Sequence, residues 1–444
     1  MSARTASRES ADPRTDIIDR AILTNLVVRG RPVTPLHRHN AKALSLPVTL
    51  PRGSSAQFNG FLHAYQALDL RKSSAHEEDT LTINRRLLVI ICAGFCLTAL
   101  VAADSSFVSH FSHITTVAST VPGNGDVNPY GVAIVPVSSG ALVKNSVLIS
   151  NFNNSANLQG TGSTIVEINA SGSLTPFANL GAVSVPGPCP GGVGLTTALV
   201  VLRSGWVIVG SLPTTDGTAA TAQSGCLIVL DNNGQAVETI SGTDVNGPWD
   251  MTALDKGSSA VLFVTNVLNG TVAAGGAVVS QGSVLRIVLD TTTPLPMETS
   301  RKVIASAFGE RTDPNALVVG PTGLGLGADG TLFVADTVQS RIAAITSAAG
   351  RSMDALAGTT VAQGGGLKQP LGLVIAPNGD IVTVNGGNGH MVEVTTNGTQ
   401  LSARFVDVTH LKGGAGNLFG LAIAPGGLGV YYVDDGNNTL NLLH

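Results

Sequence analysis

The residues of this chain best suited to chemistry are oxygen-bearing side chains that return at fixed places. Six short apolar runs each end on a small polar residue: Asn151, Ser211, Asn266, Asp336, Asn385 and Asp435. Three more, Asn128, Asp250 and Asn417, fall in turns that lead into apolar runs, and Trp249 stands directly before Asp250. Carboxylate and amide oxygens gathered around one opening are the donor set of a hard cation such as Ca²⁺. Within this set Asp250, Asn128, Asn266 and Asp336 are the candidate metal ligands. Only Asp250, Asp336 and Asp435 carry charge, so such a centre would be lightly charged. The same residue types also cap strand-to-strand turns by bonding the backbone two positions on. A repeated turn selects them repeatedly without any ligand, and that reading needs the fewer assumptions.

Other chemistries find little support. No G-x-S-x-G nucleophile elbow occurs. Beyond residue 103 the histidines are His110, His113, His390, His410 and His444, with no HxH or HxxxH spacing that would suit zinc. The Gly-rich stretches GNGD (123–126) and GGNGH (386–390) lack the following helix that a phosphate cradle requires, and read as turns. Trp206 and Trp249 read as packing residues, Trp249 with the further option of facing an opening beside Asp250.

The elements that must position these residues are short strands. A lead-in tetrapeptide recurs as NPYG (128–131), CPGG (189–192), GPWD (247–250), GPTG (320–323), QPLG (369–372) and NLFG (417–420). Pro fixes φ at its second place and Gly tolerates a crowded backbone at its fourth. The spacings of 61, 58, 73, 49 and 48 residues fit four short strands per unit, with insertions in the longer ones. Units one to five supply four strands each. The sixth stops at His444 after three, and the missing strand stands at the other end as His113–Thr120, HITTVAST. The expected fold class is therefore all-β: a six-bladed β-propeller of four-stranded antiparallel blades, closed by an N-terminal strand and preceded by a signal or anchor helix and a disordered segment.

Composition agrees. Aromatic residues are 4% and charged residues 12%, while Gly numbers 53, as many strands and tight turns require. Of the 25 Lys and Arg only 12 follow Ala103, against 21 of the 29 Asp and Glu. A body so poor in cations is not expected to bind nucleic acid, which is held by neutralising phosphates. Residues 1–84, rich in Arg, Ser, Thr and Pro, read as a disordered extension or one lying ahead of the true start. Arg85-Arg86, the uncharged run Leu87–Ala103 and its small-residue end have the parts of a secretory signal, or else form a single signal-anchor. Residues 110–444 form the propeller, expected outside the cytoplasm. In that compartment Cys189 and Cys226 are the candidate disulfide, stapling an insertion to its blade.

The stretch PTGLGLGADGTLFVADTVQSRIAAI (321–345) resembles the NHL-repeat propellers in its order of Pro-x-Gly, Asp-Gly and Ala-Asp followed by Arg-Ile; residues 369–394 and 419–443 follow more loosely. Related six-bladed propellers include the gluconolactonase and strictosidine-synthase groups. The resemblance covers about 110–444 in architecture, and the first three blades depart from it by insertions at 151–163, 211–225 and 266–282. It implies the fold and leaves the reaction open, while the gluconolactonase likeness would allow calcium at the channel mouth. The expected function is an exported, monomeric binding or scaffold module for a protein or small-molecule ligand. A calcium-assisted hydrolase or lactonase at the mouth is the alternative.

Overall fold

Apolar runs of four or five residues, too short for helices and bounded by turn residues, become strands covered on both faces. The computed structural model describes residues 105–409 and 416–444, arranged as six antiparallel sheets. The expected segments 1–84 and 85–103 and His410 lie outside the described residues. Among the described residues no helix is long and apolar enough to cross a membrane.

Blade one contains β2 (Val127–Ile134), β3 (Val147–Asn153), β4 (Thr164–Ile168) and β5 (Leu174–Asn179). Blade two contains β6 (Leu195–Val201), β7 (Val207–Ser211), β8 (Cys226–Leu230) and β9 (Ala236–Ile240). Blade three has five strands: β10 (Pro248–Asp255), β11 (Ser259–Asn266), β12 (Val279–Asp290), β13 (Met297–Asp313) and β14 (Leu317–Val319). Blade four is β15 (Pro321–Leu326), β16 (Leu332–Asp336), β17 (Arg341–Ile345) and β18 (Thr359–Gln363). Blade five is β19 (Pro370–Ile375), β20 (Ile381–Asn385), β21 (His390–Val394) and β22 (Gln400–Phe405). Blade six is β23 (Leu418–Ile423), β24 (Val430–Asp434) and β25 (Thr439–Leu443), completed by β1 (Ile114–Ser119).

The burial pattern explains the sequence pattern. Strands β3, β7, β8, β16 and β20 are buried at every residue, because both faces of a blade meet its neighbours. Outer strands such as β18 and β22 are partly exposed and correspondingly polar. Turns follow their local chemistry. Gly330 takes φ +81° at the β15–β16 turn, where the Asp329 carboxylate accepts from the Thr331 N–H at 2.9 Å.

Closure is as the strand count requires. β1 pairs antiparallel with β25, and His113 and His444 exchange backbone hydrogen bonds of 2.9 Å beyond the strand end. Ahead of β1 the chain is clamped to blade five. The buried Glu393 carboxylate accepts from the backbone N–H of Phe107 (2.7 Å) and Val108 (2.8 Å), and also from Ser106 Oγ and Asn378 Nδ2. Burial pushes this carboxyl up, but the hydrogen bonds outweigh it and hold it below the usual carboxylate range.

Three sequence expectations are corrected. In blade two the strand register sets Leu195 opposite Ser211, as Pro248 is set opposite Asn266, so the true lead-in is Gly194–Thr197 and not CPGG. CPGG lies in the preceding loop, and the strand itself starts at Leu195 without a proline. The outer strand of blade four, which the sequence pattern places at MDALAG (353–358), is Thr359–Gln363, and residues 353–358 pass over the blade edge with the Ala355 N–H bonded to Ile304 O. The fifth strand of blade three was not expected at all.

Candidate functional site

Every inner strand is irregular just after its lead-in. The ladder shifts register between Pro129 and Gly131, Leu195 and Leu199, Pro248 and Met251, Pro321 and Leu324, Pro370 and Leu373, and Leu418 and Leu421. An inserted residue at a bulge re-aims its side chain. Here Tyr130, Trp249, Leu371 and Phe419, each at the third place of a lead-in, pack into one cluster with Phe152, Leu212 and Val267 from the ends of the second strands. Tyr130 stacks on Phe419 with ring centroids 3.8 Å apart and on Phe152 at 4.5 Å.

The cluster is completed by a segment from blade three. Ala316–Val319, including β14, is buried among these rings. Trp249 Nε1 donates to the Val318 carbonyl at 3.0 Å, and Gln159 Nε2 holds Pro314 O at 2.9 Å. The mouth of the channel is thus filled by the protein itself. Asp435 and Asp313 lie close enough to the Tyr130 phenol to add to the effect of burial, which raises it well above the usual tyrosine value.

The expected ligands are distributed among separate partners. Asn128 adopts φ +58° and its N–H donates to Asn438 Oδ1 at 2.7 Å. Asn151 Nδ2 donates to Thr120 O at 3.1 Å, tying the second strand of blade one to the closing strand. Asn266 Oδ1 accepts from the Asn246 N–H, and Asn385 Oδ1 from that of Lys368. Asp336 pairs with Arg341 at 2.7 Å, and burial raises its carboxyl against that pairing. Ser211 Oγ accepts from Gly194 N–H, and Asn417 Nδ2 donates to Asp407 and Thr409. Among the described residues no three His, Cys, Asp or Glu side chains come together as a metal site. The two carboxylates of the proposed Ca²⁺ set are otherwise engaged, Asp250 with the N–H of Met251 and Leu324 and Asp336 with Arg341.

Blade six shifts one candidate by one residue. Asp434, and not Asp435, pairs with Leu418 and so occupies the place of Asp336. Asp434 accepts from the N–H of Val408 and Gly436, while burial and the neighbouring Asp407 push its carboxyl up to about 7. Asp435 comes one residue later, the place held by Phe152 in blade one and Val267 in blade three. The doubled Asp434-Asp435 hid this slip.

Asp250 stands at the fourth lead-in place, where four blades have glycine. A Cβ at Gly323, Gly372 or Gly420 would fall within 2.2 Å of a carbonyl oxygen in the next blade's inner strand. Blade three has room for a side chain there, and Asp250 uses it to accept from the N–H of Met251 (2.8 Å) and of Leu324 in blade four (3.1 Å). Burial pushes its carboxyl up to about 7 against those two bonds.

A buried acid missed in the sequence lies on β13. Glu310 Oε1 accepts from Thr271 Oγ1 at 3.0 Å, but Oε2 has no partner, nor have Nδ2 of Asn266 and Asn269. Burial raises this carboxyl to about 7, against hydrogen bonds from Thr271 and the Asn269 backbone. Its unfolded value is near ~4.3, so the ionised group opposes folding increasingly as pH rises from about 4 to about 7. Glu310→Gln keeps the Thr271 contact and removes the charge. Chemical denaturation should find it about 1–3 kcal/mol more stable than the parent at pH 8 and little changed at pH 4.5. An equal difference at both pH values would contradict this account.

The expected bridge is present. Cys189 and Cys226 form a disulfide with Cα atoms 5.1 Å apart. Cys189 sits in the loop before β6 rather than on a strand, which lets it reach the start of β8.

No protein-family model matches the chain, and no curated protein matches it significantly. Solved structures similar to it include a Xanthomonas campestris gluconolactonase, 13% identical over 74% of this chain and 88% of that one, with a TM-score of 0.46. A calcium-binding protein, regucalcin, from Agrobacterium tumefaciens is 14% identical over 75% of this chain and 93% of its own, at 0.47. Virginiamycin B lyase from Staphylococcus aureus is 16% identical over 75% and 85%, at 0.43.

Proposed function

We propose that the chain is an exported β-propeller that serves as a binding or scaffold module for a protein or small-molecule partner. The observation that carries this reading is the filled mouth. Leu317–Val319 lies on the Tyr130, Phe419 and Trp249 rings, where a substrate of a mouth-centred enzyme would have to sit. Around that opening Asn151, Ser211, Asn266, Asn385 and Asn417 are each held by at least one hydrogen bond to the backbone or to a neighbouring side chain. The Cys189–Cys226 disulfide supports a location outside the cytoplasm, since such bridges persist in oxidising compartments.

The test is a panel of lactones and esters assayed with and without millimolar Ca²⁺, beside a thermal-shift titration with the ion. The binding reading expects no turnover and no movement of the unfolding midpoint. Calcium-dependent turnover would replace it with a hydrolase acting at the mouth.

A further inference from the structure

Below the plug the central channel continues as a chamber of about 260 Å³, near the lower end of the range for small-molecule sites. Trp249, Leu371 and Phe419 of the plug directly precede Asp250, Gly372 and Gly420 of the chamber lining, so the plug is its closed end. The lining runs from there to Leu202 and Asp255, where β6 and β10 finish on the opposite face of the propeller. The chamber is approached from that face.

Its side chains are unequally distributed. Blades one, four, five and six contribute only glycine and aliphatic residues, among them Val132, Leu324, Leu373 and Leu421. The polar side chains are confined to blades two and three, and no Lys, Arg or His lines the cavity. Its two carboxylates are bonded alike and differ in burial: Asp255 at the open end is partly exposed and accepts one backbone N–H on each oxygen, from Arg203 and from Gly257. Asp250 at the closed end is 8% exposed and holds one backbone N–H on each oxygen. Each oxygen keeps a second lone pair, and no cation stands among its hydrogen-bond partners. A buried carboxylate is ordinarily paired or neutralised.

We propose that this chamber is a binding site for a small organic ammonium ion, whose charged head donates to Asp250 and whose apolar body lies against Val132, Leu199, Met251 and Leu421. The acidic lining repels anions, and an uncharged apolar molecule leaves Asp250 without a counter-charge. A metal ion would find one carboxylate where it needs several oxygen ligands. The inner strands β2, β6, β15, β19 and β23 around the chamber present no titratable side chain to Asp250, and Asp255 is the one other such group along it. Ammonium affinity therefore follows the ionisation of Asp250, which burial has moved to about 7. Binding strengthens as pH rises through that value and weakens below it.

This inference rests on the reading of the chain as a binding module, yet the two fail separately. Turnover in the lactone and ester panel overturns that reading, whereas the titration below overturns the chamber assignment alone. The full chain is titrated calorimetrically with propyl- to hexylammonium chloride and with the matching n-alkanols, at pH 8 and pH 5.5. The expected result is at least tenfold tighter binding of an ammonium than of its alkanol at pH 8, and a loss of tenfold or more at pH 5.5. Asp250→Asn should abolish the preference for the ammonium. If that variant does not fold, Ala253→Phe decides the matter, because it narrows the chamber and leaves Asp250 in place; it should weaken binding at least tenfold with an unchanged circular dichroism spectrum. Absence of ammonium binding at pH 8, equal binding of alkanols, or full binding by Ala253→Phe would each overturn the assignment.

Discussion

Removing residues 105–120 is expected to lower the thermal unfolding midpoint by at least about 10 °C, the scale of several kcal/mol in a domain of this size. The deletion takes away the whole β1–β25 ladder, together with the His113–His444 exchange and the Thr120 N–H to Asn438 O bond of 2.9 Å. Individual hydrogen bonds of this kind contribute about 0.5–1.5 kcal/mol net. It also uncovers the apolar contacts of Ile114, Val117 and Ala118 with their core clusters. The Glu393 carboxylate loses Ser106, Phe107 and Val108 as donors in the same step. β25 then becomes an exposed edge, open to pairing between chains. Differential scanning calorimetry with light scattering measures both effects. A truncated chain that melts like the parent and stays monodisperse would show that closure by β1 does not hold the ring.

Trp249→Ala should be the most costly single substitution at the mouth, destabilising by about 3–5 kcal/mol, as large-to-small changes of buried aromatic residues do. The indole is 3% exposed, stacks towards Phe419 at 6.5 Å and donates to Val318 O. Its loss leaves both a void under β14 and a buried carbonyl without its donor. Residues 313–319 should then become a site of rapid limited proteolysis, while the blades remain intact by circular dichroism. Trp249→Phe keeps an aromatic ring and should lose about 1–2 kcal/mol, mainly for the unpaired carbonyl. If Trp249→Ala leaves both stability and cleavage unchanged, the segment is not held by the rings beneath it.

Much of the frame is readable in the chain because it is written locally. A Pro-containing turn, two or three unbroken apolar runs and a more polar fourth run describe one blade, whose inner faces are covered on both sides. The final strand deficit after His444 points to His113–Thr120 without any knowledge of the contacts. The same logic fails where two local signals compete. CPGG carries the expected turn residues, yet Gly194–Thr197 begins the strand, because only that register aligns β6 with β7. Adjacent acids at Asp434 and Asp435 offer two strand ends one residue apart, and a slip of one reverses which side chain faces inward. For β14 the available signal was the run Ala316–Val319 directly ahead of GPTG. It is too short to announce its destination.

The repeat, the count of six and the closure by the N-terminal strand were determined by sequence alone, since period and turn chemistry act over a few residues. Only the tertiary structure decided what became of the candidate chemistry. Whether Asp250 meets a cation, a backbone N–H or a cavity depends on the width of the ring at blade three, which is set by the glycines of the other blades. Whether the mouth is open depends on a segment 69 residues beyond Trp249, whose carbonyl at Val318 closes on that indole. Contacts between residues so far apart arise from the packing of whole blades, and no local pattern encodes them.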